Sequence, residues 1–233
     1  MIIRIPRFFK GFKGKGFKIK VQDKNAYGAA PPFSSSEKHG ISNEDLEKEL
    51  HKKPAAALIQ SLEDPDPFVR SVSAEVLGRI RERGAVKPLI ALMRDPSKYV
   101  REKAAIALGY IWEKGAVPAL IEALNDEAEE VRVTVAGVLG HLKDREAVPA
   151  LIHSLADFSP VARMKSAISL GIIGDPDAVT ALYGSTQDEN ELVRKYACEA
   201  LGNIGKPAVS ALLLCLRDEK VRAHAAQALV KIK

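Results

Sequence analysis

The sequence predicts an all-α fold: a right-handed α-solenoid of six stacked helical hairpins, preceded by an N-terminal capping helix and a basic, extended N-terminal arm. Three observations lead there. Aromatics are only 6% of the 233 residues, and the 46% of hydrophobic residues is mostly Ala, Leu, Val and Ile. That mix suits closely packed helices better than a sheet of branched and aromatic pairs. From residue 54 onward the chain repeats with a fixed period of 31 residues, and within each repeat the apolar positions recur at helical spacing.

The N-terminal segment, 1–40, stands apart in charge. The chain holds 35 Lys and Arg against 30 Asp and Glu. Residues 1–53 carry 12 basic and 6 acidic side chains, leaving 23 and 24 for the remainder. The basic character therefore belongs to the start. Arg4, Arg7, Lys10, Lys13, Lys15, Lys18 and Lys20 lie there with no acid between them, interleaved with Phe8, Phe9, Phe12 and Phe17. Gly11, Gly14 and Gly16 argue against a helix. An arm of this kind fits phosphates and stacked bases, so nucleic acid is a candidate partner. It fits equally an anionic lipid surface, an acidic protein surface, or a solvated role with no defined partner. Residues 28–40, with Pro31, Pro32 and three serines in a row, read as a linker.

Residues 41–53 read as a short capping helix over the first repeat. Ser42-Asn-Glu-Asp45 resembles a capping box, and Ile41, Leu46 and Leu50 share one face.

Residues 54–233 are the solenoid. A Val-Arg-type pair recurs at Val69-Arg70, Val100-Arg101, Val131-Arg132, Ala162-Arg163 and Val193-Arg194. A Leu-Gly pair recurs at Leu77-Gly78, Leu108-Gly109, Leu139-Gly140, Leu170-Gly171 and Leu201-Gly202. An upstream leucine keeps the same spacing at Leu58, Leu89, Leu120, Leu151 and Leu182, and a sixth copy is shortened. Each repeat reads as a short first helix and a longer second one, whose stripe of Val100, Ala104, Ala107, Leu108 and Ile111 is core. Beside the stripe one position is always small: Ala74, Ala105, Ala136, Ala167, Cys198 and Ala226. The glycine of each Leu-Gly pair allows close helix contact or a loose last turn. One hairpin cannot bury its apolar face; a stack of six can.

The run Asp95-Pro-Ser-Lys-Tyr-Val-Arg-Glu-Lys-Ala-Ala-Ile-Ala-Leu-Gly-Tyr-Ile111 resembles the short HEAT repeat of the phycobilisome-lyase type. The resemblance extends over about residues 54–233. It implies a curved stack whose second helices line the concave face. Most such proteins are binding scaffolds; some relatives attach bilin pigments, and others are iron-containing peptide hydroxylases.

An aspartate precedes each register arginine by six residues: Asp64 and Arg70, Asp95 and Arg101, Asp126 and Arg132, Asp157 and Arg163, Asp188 and Arg194. Repetition in every layer points to a structural ladder rather than a catalytic row. The aspartate is expected to cap the second helix and the arginine fork to bridge carboxylates of its own and adjacent repeats, a use the family resemblance also implies. His39, His51, His141, His153 and His224 are each followed by a residue other than glutamate, so the paired His-Glu signature of the hydroxylase relatives is missing. No H-E-x-x-H, P-loop or G-x-S-x-G motif occurs. The expectation is a non-enzyme with neither metal nor cofactor. Two cysteines, Cys198 and Cys215, cannot build a disulfide framework, and no apolar run is long enough for a bilayer. The start lacks an apolar signal region. A cytoplasmic protein is expected.

On the second helices, positions left over by the core fall at i, i+3, i+7 and i+11. Read through the middle repeats they are unusually apolar: Tyr99, Ile106, Tyr110, Val133, Met164, Ile168 and Ile172. These residues are candidates to hold another protein's helix or extended segment. Were each helix turned by one position, the same residues would be core. The functional reading is a non-catalytic scaffold or assembly factor, whose partner is another protein, a subunit of a larger complex. The alternatives are nucleic-acid or ribonucleoprotein binding through the arm, and pigment or cofactor attachment by family analogy.

Overall fold

The computed structural model describes residues 53–232. The arm at 1–40 and the capping helix at 41–53, Lys53 apart, lie outside the described residues.

Twelve α-helices follow in alternation. The first helices are α1 (Ala55–Gln60), α3 (Val86–Leu92), α5 (Val117–Glu122), α7 (Val148–His153), α9 (Val179–Ser185) and α11 (Val209–Cys215). The second helices are α2 (Pro67–Ile80), α4 (Lys98–Ile111), α6 (Glu129–Leu142), α8 (Pro160–Ile173), α10 (Glu191–Ile204) and α12 (Arg222–Lys231). Among the described residues there is no strand. Prolines sit in the first turn of α5 and α7, where a missing N–H leaves no bond unmade.

The 31-residue period becomes a column of leucines. Leu58, Leu89, Leu120, Leu151, Leu182 and Leu212 from the first helices are fully buried. They meet Leu77, Leu108, Leu139, Leu170 and Leu201 from the second helices, equally buried. Each such side chain contributes roughly 1.5–3 kcal/mol relative to exposure. The small position is buried from Ala74 through Cys198. In the last hairpin Ala226 is exposed, because no further layer among the described residues covers α12.

Successive second helices approach backbone to backbone at four of the Leu-Gly glycines, Gly78, Gly140, Gly171 and Gly202, whereas Gly109 meets the Val138 side chain. A Cβ added at Gly78 would stand 2.5 Å from the Ala107 Cα, and at Gly171 2.7 Å from the Ala200 Cα. No side chain fits at those distances.

The ladder links each repeat to the next. Arg70 donates from Nε and Nη2 to both carboxylate oxygens of Asp95, at 2.8 and 2.9 Å. Arg101 does the same to Asp126, Arg132 to Asp157 and Arg163 to Asp188. The aspartate of an arginine's own repeat is not its ion-pair partner; it accepts only at its backbone carbonyl, as Asp126 O does from Arg132 Nη1 at 2.9 Å. The sequence expectation that these aspartates cap the second helices is corrected. Each closes a two-residue turn instead, with Asp95 Oδ1 accepting from Ser97 N–H and Asp157 Oδ1 from Ser159 N–H, both at 2.8 Å. Capping passes to the residue two further on, namely Asp66, Ser159 or Asn190. The shortened sixth copy ends the series. Arg194 Nη1 holds the Asp188 and Glu189 carbonyls, but its buried Nε meets no acceptor among the described residues.

Candidate binding groove

Five of the second helices, α2 to α10, end in a residue of positive φ. Arg81, Trp112 and Lys143 close α2, α4 and α6 at φ of 57°, 61° and 52°; Gly174 and Gly205 close α8 and α10. Left-handed backbone costs a non-glycine residue about 1–2 kcal/mol, so three of these five turns are strained where glycine would relieve them.

Beside those turns the second helices of repeats two to four form a groove of about 460 Å³. Ile106 and Tyr110 come from α4, Val133, Val138 and His141 from α6, and Lys165 and Ile172 from α8. The recess has a sequence cause. At one position of the row, Ile106 and Ile168 flank Gly137, so the middle layer contributes no side chain. The atoms nearest to a Cβ added at Gly137 belong to the Lys165 stem, the first at 3.4 Å. The lysine thus lies along the floor, and burial lowers its pKa from the ordinary value.

Charge on the groove is mostly positive. Arg81, Lys143 and Lys165 line it, with Glu102 as the acidic member, accepting from Thr134 Oγ1 at 3.3 Å. Burial, then the nearby Arg81 and Lys143 cations, hold the His141 pKa below its usual 6.5. Trp112 meets the His141 ring edge-on, 4.3 Å between centroids.

Of the seven apolar residues singled out by sequence, Ile106, Tyr110, Val133 and Ile172 line this groove. Tyr99, Met164 and Ile168 lie on the same helices, half-buried, outside its lining. Tyr99 has the Lys98 Nζ over its ring at 5.5 Å. None of the seven is buried, and Ile172 is 42% exposed. The basic arm lies outside the described residues, so it is not placed relative to the groove. Sequence reasoning missed Arg81, Lys143 and Lys165. A signal existed for the first two: they occupy the place after the Leu-Gly pair where later repeats carry glycine.

Models of HEAT repeats match residues 55–130, 117–191 and 184–233. The chain belongs to the HEAT-repeat family. This HEAT-repeat protein is similar to the CpcE–CpcF complex of phycocyanin lyase from Nostoc sp. PCC7120, at 27% identity over 76% of this chain and 76% of that one, with a TM-score of 0.60. It is also similar to the Escherichia coli protein YibA, at 25% identity over 81% of this chain and 74% of that one, TM-score 0.55. A designed armadillo repeat protein in complex with the peptide (KR)4 shares the fold at 20% identity, over 78% of this chain and 100% of that one, TM-score 0.59. No curated protein matches the chain. HEAT and armadillo-like stacks form a scaffold suited to protein binding, and this chain has that architecture.

Proposed function

We propose that this HEAT-repeat protein is a non-catalytic, cytoplasmic scaffold that helps assemble or tether a larger protein complex by holding a segment of a partner protein on its second-helix face. The observation that carries the reading is the groove, where Ile106, Tyr110, Val133 and Ile172, none of them buried, line one recess across three adjacent helix layers. Exposed contiguous apolar surface is costly unless a partner covers it. The arm, 1–40, serves in this reading as a second contact, and 41–53 as the cap of repeat one. Among the described residues no helix is long and apolar enough to cross a membrane.

The test is affinity purification from the source cells with the full chain and with an Ile106→Asp/Ile172→Asp variant, read by mass spectrometry. Both positions are partly exposed, so helical circular dichroism should stay unchanged while co-purifying proteins are lost. Retention of the same proteins by the folded variant would remove the groove from the function. Likeness to a phycocyanin lyase supports a second reading, attachment of a pigment or cofactor; an absorbance spectrum of the purified protein with visible bands would favour it.

A further inference from the structure

Two cations on the groove lack, among the described residues, the carboxylate partner that several basic residues near them have. Lys98 pairs with Glu130, Lys103 and Arg79 both pair with Glu75, and Lys114 lies 3.5 Å from Asp144. Arg81 and Lys143 have no carboxylate partner among the described residues. Both also hold left-handed backbone at helix ends, where Gly174 does the same task in α8 without strain. A strained residue persists where its side chain has a use that glycine lacks. Here both side chains reach the same groove, close enough to His141 that each disfavours a proton on that ring. Between them lies an apolar recess centred on Gly137, and one acid, Glu102, faces the three cations.

Resting on the reading of the groove as a protein-binding site, we propose that its occupant is an acidic, apolar peptide segment of the partner, with apolar side chains seated in the recess beside Gly137 and carboxylates paired to Arg81 and Lys143. An extended strand advances about 3.3 Å per residue, and three helix layers span about 20 Å. About six residues of alternating apolar and acidic side chains therefore match the site. Apolar contacts supply the affinity, and the two unpaired cations exclude basic segments and set the register.

The test measures fluorescence polarisation of three fluorescein-labelled octapeptides against the full chain: alternating Leu-Glu, alternating Leu-Lys, and alternating Gly-Glu. The Gly-Glu peptide reports attraction by charge alone, including any contribution from residues 1–20. The Leu-Glu peptide should bind at least tenfold more tightly than either control. An Arg81→Gly/Lys143→Gly variant keeps the left-handed turns and should melt no lower than the parent, yet lose about tenfold in Leu-Glu affinity, about threefold for each exposed ion pair. Preference for Leu-Lys, absence of preference, or a Leu-Glu preference that survives in the glycine variant would overturn the proposal. Those results differ from failure of the groove itself. There, Ile106→Asp/Ile172→Asp would leave binding of every peptide unchanged, and both readings would fall.

Discussion

Replacing Gly140 by alanine sets two physical effects against each other and shows which holds the stack together. Gly140 lies inside α6, and its φ is not among the positive ones. Helix propensity alone therefore favours alanine by about 1 kcal/mol. The facing helix opposes it. A Cβ would stand 2.5 Å from Ser169 Oγ, 2.6 Å from its Cβ and 2.8 Å from its Cα, where ordinary contacts are 3.4–4 Å. Rotating the serine relieves only the first contact; the others require α8 to retreat. Overpacking of this kind costs about 1–3 kcal/mol. The retreat also strains the buried bond from Ser169 Oγ to the Ala136 carbonyl, 2.7 Å long, worth about 1 kcal/mol. The net loss is about 1–3 kcal/mol, or a Tm lower by about 3–10 °C for a chain of this size. Gly184→Ala is the control: it sits in α9 with nothing within 4 Å of an added Cβ, so it should gain about 0.5 kcal/mol. Thermal and urea melts followed by circular dichroism read both. If Gly140→Ala stabilises as Gly184→Ala does, backbone contact between layers is not what the glycines provide.

Two further outcomes follow from the ladder and the core. Arg132→Met removes the fork from Asp157, whose side chain is 9% exposed, and should cost about 2–3 kcal/mol in a urea melt at pH 7. The Arg132 hydrogen bond holds the Asp157 pKa below its ordinary 3.8. A depressed carboxylate stabilises the fold above that pH and loses the contribution as pH falls through the folded value. The parent should therefore lose stability below about pH 4 more steeply than Arg132→Met, and equal acid profiles would refute the pairing. Cys198 is fully buried, and burial pushes its thiol up to about 12. It should resist maleimide labelling in the native protein and label in urea; stoichiometric native labelling would show the α10 layer to be open.

Much of this was legible because a solenoid writes its tertiary contacts into a local period. Leu58 and Leu89 are neighbours in the column because they are 31 residues apart, and no long-range pairing had to be guessed. The candidate face was legible in part for the same reason: removing the core stripe from α4, α6 and α8 left seven apolar residues, of which Ile106, Tyr110, Val133 and Ile172 line the groove and Tyr99, Met164 and Ile168 do not. The period was silent on features in which repeats differ by geometry. That each arginine bridges forward to the next aspartate, as Arg101 does to Asp126, depends on the offset between layers. Spacing of six left both the arginine's own aspartate and the adjacent repeat's open as partners, and only the adjacent one is used.

By itself, then, the amino-acid order determined the paired helices of the repeats and their leucine core, since helical spacing and a constant period are local properties, and it left open which way the remaining face turned. Only the tertiary structure decided that Gly137 lies in a recess lined by Ile106, Val133 and Ile172 but not by Ile168, and that Arg81 and Lys143, 62 residues apart, converge on one groove. Those facts depend on the rise and rotation from one layer to the next, which are set by how closely backbones approach at the glycines and which no single repeat encodes.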